Sequence, residues 1–446
     1  MIQRGQLTQP AAVLVFVFLV AVLSGAGLLM LPVSRVDAQS DISFVTALFT
    51  ATSAVCVTGL SLVDTGTYWS FFGQSVILVL FQLGGFGMMT AATLLGFLVN
   101  RQMRLRSKLL LQAETHSLAL GDVKSVAALV LAITVLVQSM IALMLTLQWW
   151  GGYDVPLVEA AWLGVFHAVS AFNNAGFSTF SDSVSGFATD PMILFPLMLG
   201  ITIGGFGFPV LHELILKRGA RIRLSMHASL TLWGSLALVI VGTVGVFAFE
   251  RGRIETLGVF STAEAWMVAL FTSVSARTAG FNAIDMGAMS TASLALHYFL
   301  MFVGGGSAGT AGGVKVTTFC LLLLVVWSEV RGNSDVEYRG RRVAETVQRQ
   351  ALTILVLSSA VIVLAMMCLL PMTDLPYHVV LFEVISAFAT VGLSTGITAQ
   401  LPPAGQLVLV TLMFIGRVGV VTLAVALAMN HTRRPYRYPE EKPIVG

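Results

Sequence analysis

A short helical element led by phenylalanine and broken by glycine occurs four times in this chain, and it restricts the folds available. The copies are FTATSAVCVTGL (Phe49–Leu60), FHAVSAFNNAGF (Phe166–Phe177), FTSVSARTAGF (Phe271–Phe281) and FEVISAFATVGL (Phe382–Leu393). Their glycines stand 117, 104 and 112 residues apart (59 to 176, 176 to 280, 280 to 392). Four similar units in one chain can close around an axis. Four backbone turns meeting at that axis would form a ring of carbonyl oxygens, able to replace the hydration shell of a bare cation.

Composition puts such a ring in a membrane. The chain is 56% hydrophobic and 11% charged, with a mean hydropathy of +0.88, outside the range of soluble domains. A net charge of +3 lends nucleic-acid binding little support. The three cysteines (Cys56, Cys320, Cys368) have no metal spacing, and their odd number argues against a disulfide framework, so they read as reduced, packed thiols.

Eight long apolar stretches stand out, at about 11–32, 73–99, 125–149, 191–216, 228–249, 293–330, 350–370 and 405–430. The first imitates a signal peptide, but its roughly 22 residues exceed a signal core and suffice to span a bilayer. One glycine-broken element lies between the members of each successive pair. Each element is too short to span and suits a re-entrant helix followed by a turn. The expected fold is an all-α integral membrane protein. It has four tandem helix–pore-helix–helix repeats (eight spans) around a pseudo-fourfold pore, at 1–100, 101–216, 217–330 and 331–430, with a tail at 431–446.

Charge orients the chain. Nineteen of the 25 Lys and Arg residues fall on one side, in Arg101–Lys108, Lys217–Arg223, Arg331–Arg349 and the tail from Arg433, with Arg4, Lys124 and Lys442. Thirteen of the 22 acidic residues fall on the other side, among them Asp64, Asp154, Asp182, Asp285 and Asp374. The positive-inside rule then makes both termini cytoplasmic and opens the glycine turns outward, where an acidic mouth would concentrate cations.

The spans after the turns carry a second repeated feature. Gly84-Gly85 and Gly204-Gly205 match each other, the third unit has Gly304-Gly305-Gly306, and the fourth has Gly416-Arg417. In the first two units, small residues at matched depth read as helix packing. The third unit runs Gly304, Gly305, Gly306, Ser307, Ala308, Gly309, Thr310, Ala311, Gly312 and Gly313, with Lys315 two residues further on. Six glycines in ten residues hold a helix poorly, each at about 1 kcal/mol relative to Ala. Such backbone is tolerated at membrane depth only where it is buried or lines a cavity. A non-helical loop below the turns is expected. It lacks the strand and the Gly-Lys-Ser/Thr order of a phosphate cradle. Arg417 occupies the position of Gly85, Gly205 and Gly305. At membrane depth it must face water or a partner, and it reads as a positive barrier beside the loop, with a purely structural arginine as the alternative. Arg277 should be paired, with Glu264 and Glu383 as candidates, and should scaffold the turn rather than touch an ion. His167, Asn173 and Asn174 read as hydrogen-bonding props.

These glycines, the 304–313 break with Lys315, Arg417 and the ending Tyr436–Gly446 together resemble the Trk/Ktr/HKT superfamily of potassium transporters. Within it, the resemblance is to the membrane subunit of the bacterial Ktr system. It covers essentially the whole chain. It implies a homodimer with one pore per subunit in the bacterial cytoplasmic membrane, taking up potassium under sodium stimulation, with no tightly bound cofactor and no enzymatic activity. It also implies a cytosolic ring of nucleotide-binding regulatory subunits as partner, which would come from a separate polypeptide. By motif, the selectivity filter comprises Val57, Thr58 and Gly59; Asn174, Ala175 and Gly176; Thr278, Ala279 and Gly280; and Thr390, Val391 and Gly392, with potassium at the four glycines. Gly59, where sodium-selective plant relatives have serine, favours potassium. Residues 304–313, Lys315 and Arg417 match the gate. Four unequal turns are expected to select less strictly than identical channel filters. Two other classes remain: a midplane-binding secondary transporter of an organic solute, which usually shows two inverted repeats, and an intramembrane enzyme, for which His167, His297, Ser307 and Asp285 form no recognisable nucleophile–base arrangement.

Overall fold

The structure, a computed structural model, describes residues 10–37, 42–101, 123–216 and 224–419. It is helical, with α1 (Pro10–Leu29), α2 (Phe44–Val55), α3 (Phe71–Arg101), α4 (Val123–Gly152), α5 (Leu157–Asn173), α6 (Pro191–Phe206) and α7 (Phe208–Leu216) in the first half. The second half holds α8 (Met226–Glu250), α9 (Thr262–Ser275), α10 (Thr291–Phe302), α11 (Val316–Val330), α12 (Glu345–Leu369), α13 (Tyr377–Phe388) and α14 (Pro403–Val418).

Local chemistry starts the short helices. The Ser43 side chain accepts from Val45 N at α2, and Ser261 and Glu264 form a capping box at α9. Pro156 and Pro376, which cannot donate to a preceding turn, stand immediately before α5 and α13. Asp190 starts α6: Oδ1 accepts from Met192 N at 2.8 Å, and Oδ2 accepts from Gln148 Nε2 at 2.7 Å and Tyr153 Oη at 3.0 Å. Burial and then this hydrogen bond to Asp190 push the Tyr153 phenol up to about 12.

The element that ends at each glycine is the buried member of its group. Phe49, Phe166, Phe271 and Phe382, which lead the four copies, are fully buried. Helix α2 packs on α1 and α3, α5 on α4 and α6, α9 on α8, and α13 on α12 and α14. Contacts between groups run in chain order and return to the start: α3 on α5, α6 on α9, α10 on α13, and α14 back on α2.

The long helices differ from the eight stretches expected. Among the described residues, three helices are long and apolar enough to cross a membrane: Ala128–Gly152, Met226–Glu250 and Glu345–Met372. The 191–216 stretch is bent by 100° between Phe206 and Phe208. Gly207 takes φ +85° there, and a Cβ on it would lie 2.6 Å from Ser307 O and 3.0 Å from the carbonyl carbon of Ala308, so a side chain would have no room. The 293–330 stretch is divided into α10 and α11 by the glycine-rich loop.

One small element lies outside an all-α description. Glu337–Tyr338 pairs antiparallel with Arg341–Arg342, because Arg339 and Gly340 both adopt positive φ (51° and 75°), as a tight hairpin turn requires. Arg104, Arg106, Lys108, the Lys217–Arg223 cluster and the tail from 431 lie outside the described residues.

Candidate functional site: a ring of four glycine turns

Each short helix ends in the same backbone pattern. The residue two before each glycine is left-handed: Val57 (φ 56°), Asn174 (59°), Thr278 (74°) and Thr390 (50°). The glycines follow at positive φ: Gly59 (91°), Gly176 (69°), Gly280 (80°) and Gly392 (93°). Three of the four left-handed residues are β-branched, a conformation worth about 1–3 kcal/mol of strain each, which persists only where the surroundings impose it.

The four turns meet. A Cβ on Gly59 would lie 3.0 Å from Gly176 Cα, one on Gly176 3.0 Å from Gly280 Cα, one on Gly280 3.2 Å from Gly392 Cα, and one on Gly392 3.1 Å from Gly59 Cα. The same four positions face the carbonyl oxygens of Ala175, Ala279, Val391 and Thr58 in turn. The glycines are thus packed in cyclic order with the carbonyl of the preceding residue at each junction. No side chain fits between them.

A cavity of about 330 Å³ opens on one side of this ring. It is lined by all four glycines, by Ser61, Ser178 and Asn282, and by the carboxylates of Asp64 and Asp285. The hydroxyls of Thr58, Thr278 and Thr390 are buried and unpartnered. That of Thr390 faces Gly312 of the glycine-rich loop, and the oxygens beside the four ring glycines are backbone carbonyls. No group of three or more His, Cys, Asp or Glu residues with metal-binding geometry occurs among the described residues.

Four serines hold the turns from behind, and these were not singled out from the sequence. Gly59 N donates to Ser53 Oγ at 3.1 Å, and Gly392 N donates to Ser386 Oγ at 3.2 Å. In the other two units the hydroxyl donates instead, Ser170 Oγ to Phe177 O at 2.8 Å and Ser275 Oγ to Phe281 O at 2.6 Å. All four are fully buried. The signal was available: a Ser-Ala pair occupies the same place in all four copies.

His167 and Asn173 are engaged in hydrogen bonds around the turn of their unit. His167 Nδ1 bonds Leu163 O at 2.8 Å and Nε2 bonds Ser178 Oγ at 3.0 Å, while Asn173 Nδ2 donates to Gln82 Oε1 at 2.7 Å and Val169 O at 2.9 Å. The carboxylate partners expected for Arg277 are not its partners. Its Nη1 donates to Ser235 O at 3.2 Å, and its Nη2 donates to Ser235 Oγ and Gly304 O at 3.1 Å each. Glu264 is turned to its own helix cap, and Glu383 accepts from Ser394 Oγ at 3.0 Å and from Thr398. Those local donors satisfy both carboxylates where they stand.

The 304–313 segment is non-helical, and it lies against the other side of the turns. Its ends pair: Gly304 N donates to Val314 O at 2.9 Å and Val316 N to Gly305 O at 3.0 Å. Gly306 N donates to Gly205 O at 2.8 Å, and Thr310 N to Gly204 O at 3.2 Å. Thr310 Oγ1 reaches Phe172 O at 3.3 Å, and a Cβ on Gly304 would lie 3.2 Å from Thr278 Cγ2. Ser307 and Thr317 share a hydrogen bond of 2.8 Å, and Lys315 Nζ donates to Ala311 O. Arg417 is buried at 3% exposure and donates to Thr310 O and, at 3.1 Å, to Gly84 O.

The apolar helices, the oxygen-lined ring and the loop beneath it define a helical membrane transport protein. The profile of the TrkH family, described as cation transport protein, matches residues 10–435, and the chain belongs to that family. It is 34% identical over 437 residues to the Ktr system potassium uptake protein B of Bacillus subtilis, covering 98% of this chain and 97% of that one. It is 33% identical over 436 residues to the potassium/sodium uptake protein NtpJ of Enterococcus hirae, covering 96% and 95%. The crystal structure of the potassium transporter TrkH from Vibrio parahaemolyticus superposes with a TM-score of 0.70 at 19% identity, over 92% of this chain and 84% of that one, a likeness of fold.

Proposed function

We propose that this chain takes up potassium across the bacterial cytoplasmic membrane, with the ring of Gly59, Gly176, Gly280 and Gly392 as its selectivity filter. The observation that carries this is the cyclic packing of four positive-φ glycines, each beside the carbonyl of a neighbouring turn. Such a ring offers a cation only backbone oxygen, which substitutes for its water. The names of the relatives, one a potassium uptake protein and one a potassium/sodium uptake protein, support the choice of ion.

The architecture of this reading is four span–half-helix–span repeats, at 1–100, 101–216, 217–330 and 331–430, making eight spans about a pseudo-fourfold axis. Both termini are cytoplasmic, and the cavity lined by Asp64 and Asp285 is the outer mouth. The filter consists of residues 57–59, 174–176, 278–280 and 390–392. The loop 304–313, with Lys315 and Arg417, is the gate. It lies across the inner end of the filter and is held by Arg417 through the Thr310 carbonyl. The protein works as a homodimer, with sodium as an activator and a separate cytosolic nucleotide-binding ring controlling the gate.

Rubidium and potassium uptake in a potassium-transport-deficient bacterium, with and without sodium, tests this reading. Uptake by the wild type and a loss of discrimination in Gly59→Ser are expected. No cation flux with a regulatory subunit co-expressed would sink it.

A further inference from the structure

Arg277 brings a full positive charge into the apolar interior and compensates it with neutral oxygens alone. Its three hydrogen bonds go to Ser235 O, Ser235 Oγ and Gly304 O, and it makes no ion pair among the described residues. The side chain is 8% exposed, and its Nε is buried with no partner. A buried cation left without a counter-charge is a costly arrangement in a membrane-embedded chain.

Beside it lies a cavity of about 200 Å³, separate from the ring's mouth and set between α6 and α8. Its walls are apolar, with Ile201, Phe206, Leu232, Leu236 and Val239, and its polar end is formed by Arg277 and Ser235. Leu236 lines the cavity and is 48% exposed, so the cavity is reached from the flank of α8. In a membrane that flank meets lipid. Gly305 of the glycine-rich loop also lines it.

We infer that this cavity is a binding site for a single-chain anionic amphiphile drawn from the membrane, a fatty-acid carboxylate being the simplest example. The acyl chain fills the apolar pocket, and the carboxylate lies against the Arg277 guanidinium at the polar end and supplies the missing counter-charge. Two features select this ligand class: an apolar channel entered sideways and one cationic end. A neutral acyl chain would leave the charge as it is. Because Nη2 of the same guanidinium holds Gly304 O, occupancy bears directly on the loop read above as the gate. The inference rests on that reading only in placing the flank of α8 against lipid.

The test uses the full-length protein in proteoliposomes containing trace palmitic acid that carries a photoactivatable diazirine, with labelled peptides identified by mass spectrometry. Labelling is expected on α6 and α8 around Ile201, Leu232 and Val239. It should fall about tenfold, the worth of one charge-assisted hydrogen bond, when the methyl ester replaces the acid and in Arg277→Gln. Leu236→Trp, which fills the mouth and leaves Arg277 in place, should abolish it, and this covers the case of a poorly folding Arg277 variant. Equal labelling by acid and ester, or labelling indifferent to Leu236→Trp, would overturn the site. Potassium uptake measured in the same vesicles keeps the two readings apart. Uptake without labelling overturns only the lipid site, and labelling without uptake overturns only the transport function.

Discussion

Arg417 on α14 donates through Nη1 to the carbonyl oxygen of Thr310, in the middle of the glycine-rich loop between α10 and α11. Its other amino group holds Gly84 O on α3 at 3.1 Å, so one guanidinium ties the loop to helices of the first and fourth groups. In the function proposed above, a cation in this place would both fasten the loop and repel a permeating cation.

Replacing Arg417 with Ala should therefore raise basal rubidium uptake severalfold, because hydrogen bonds to a charged group are worth about 1.5–3 kcal/mol each. Arg417→Lys, which keeps the charge but not the two-ended reach, should fall between Ala and the wild type. Flux and gating unchanged in Arg417→Ala would take this residue out of the gate.

The second prediction concerns the ring. Gly59 sits at φ +91°, and its Cβ would lie 3.0 Å from Gly176 Cα, so Gly59→Ser must displace the neighbouring turn. Left-handed strain of about 1–3 kcal/mol, relieved by distorting the ring, corresponds to a loss of potassium over sodium discrimination of about 5- to 150-fold. Competitive uptake of the two ions measures it. Full retention of discrimination would count against a filter at Gly59.

Behind the ring, Ser386→Ala removes the acceptor of Gly392 N, and Ser53→Ala does the same for Gly59 N. An orphaned buried N–H costs about 1–3 kcal/mol, and here it borders the ring itself. Both variants should reach the membrane in normal amounts and show weaker potassium affinity. Ser170→Ala and Ser275→Ala, which lose a donor to Phe177 O and Phe281 O, should affect affinity less. Potassium-dependent growth and uptake curves decide the order.

A packing prediction separates stability from selectivity. A Cβ on Gly416 would lie 2.8 Å from the carbonyl carbon of Phe388, and Gly84 and Gly204 approach Val55 and Phe172 to 2.9 Å in the same way. Gly416→Ala should lower the thermal midpoint in detergent, by the roughly 1–3 kcal/mol of an overpacked core. Gly27→Ala on α1, with nothing within 4 Å of the new methyl, should leave it unchanged or raise it. Equal midpoints for the two variants would refute this account of the paired glycines.

The residue sequence alone established whatever depends on local backbone requirements. Glycine at 59, 176, 280 and 392 announces a turn that other residues resist, and each takes positive φ. Six glycines between 304 and 313 cannot sustain a helix, and the segment is non-helical. Apolar stretches long enough to span about 30 Å mark a membrane chain wherever their helices lie. Only the tertiary structure decided which groups meet. It joined the fourth group to the first through α14 and α2, gave Arg277 to Ser235 and Gly304 instead of Glu264 or Glu383, and set four serines behind four turns. It also set the backbone of Ser307 and Ala308, about a hundred residues away in sequence, in the space a side chain on Gly207 would need at the 100° bend. The physical reason is one of range. Allowed φ and apolar length belong to a residue and its immediate neighbours, whereas a hydrogen-bond partner belongs to whatever the packed helices bring within 3 Å or so.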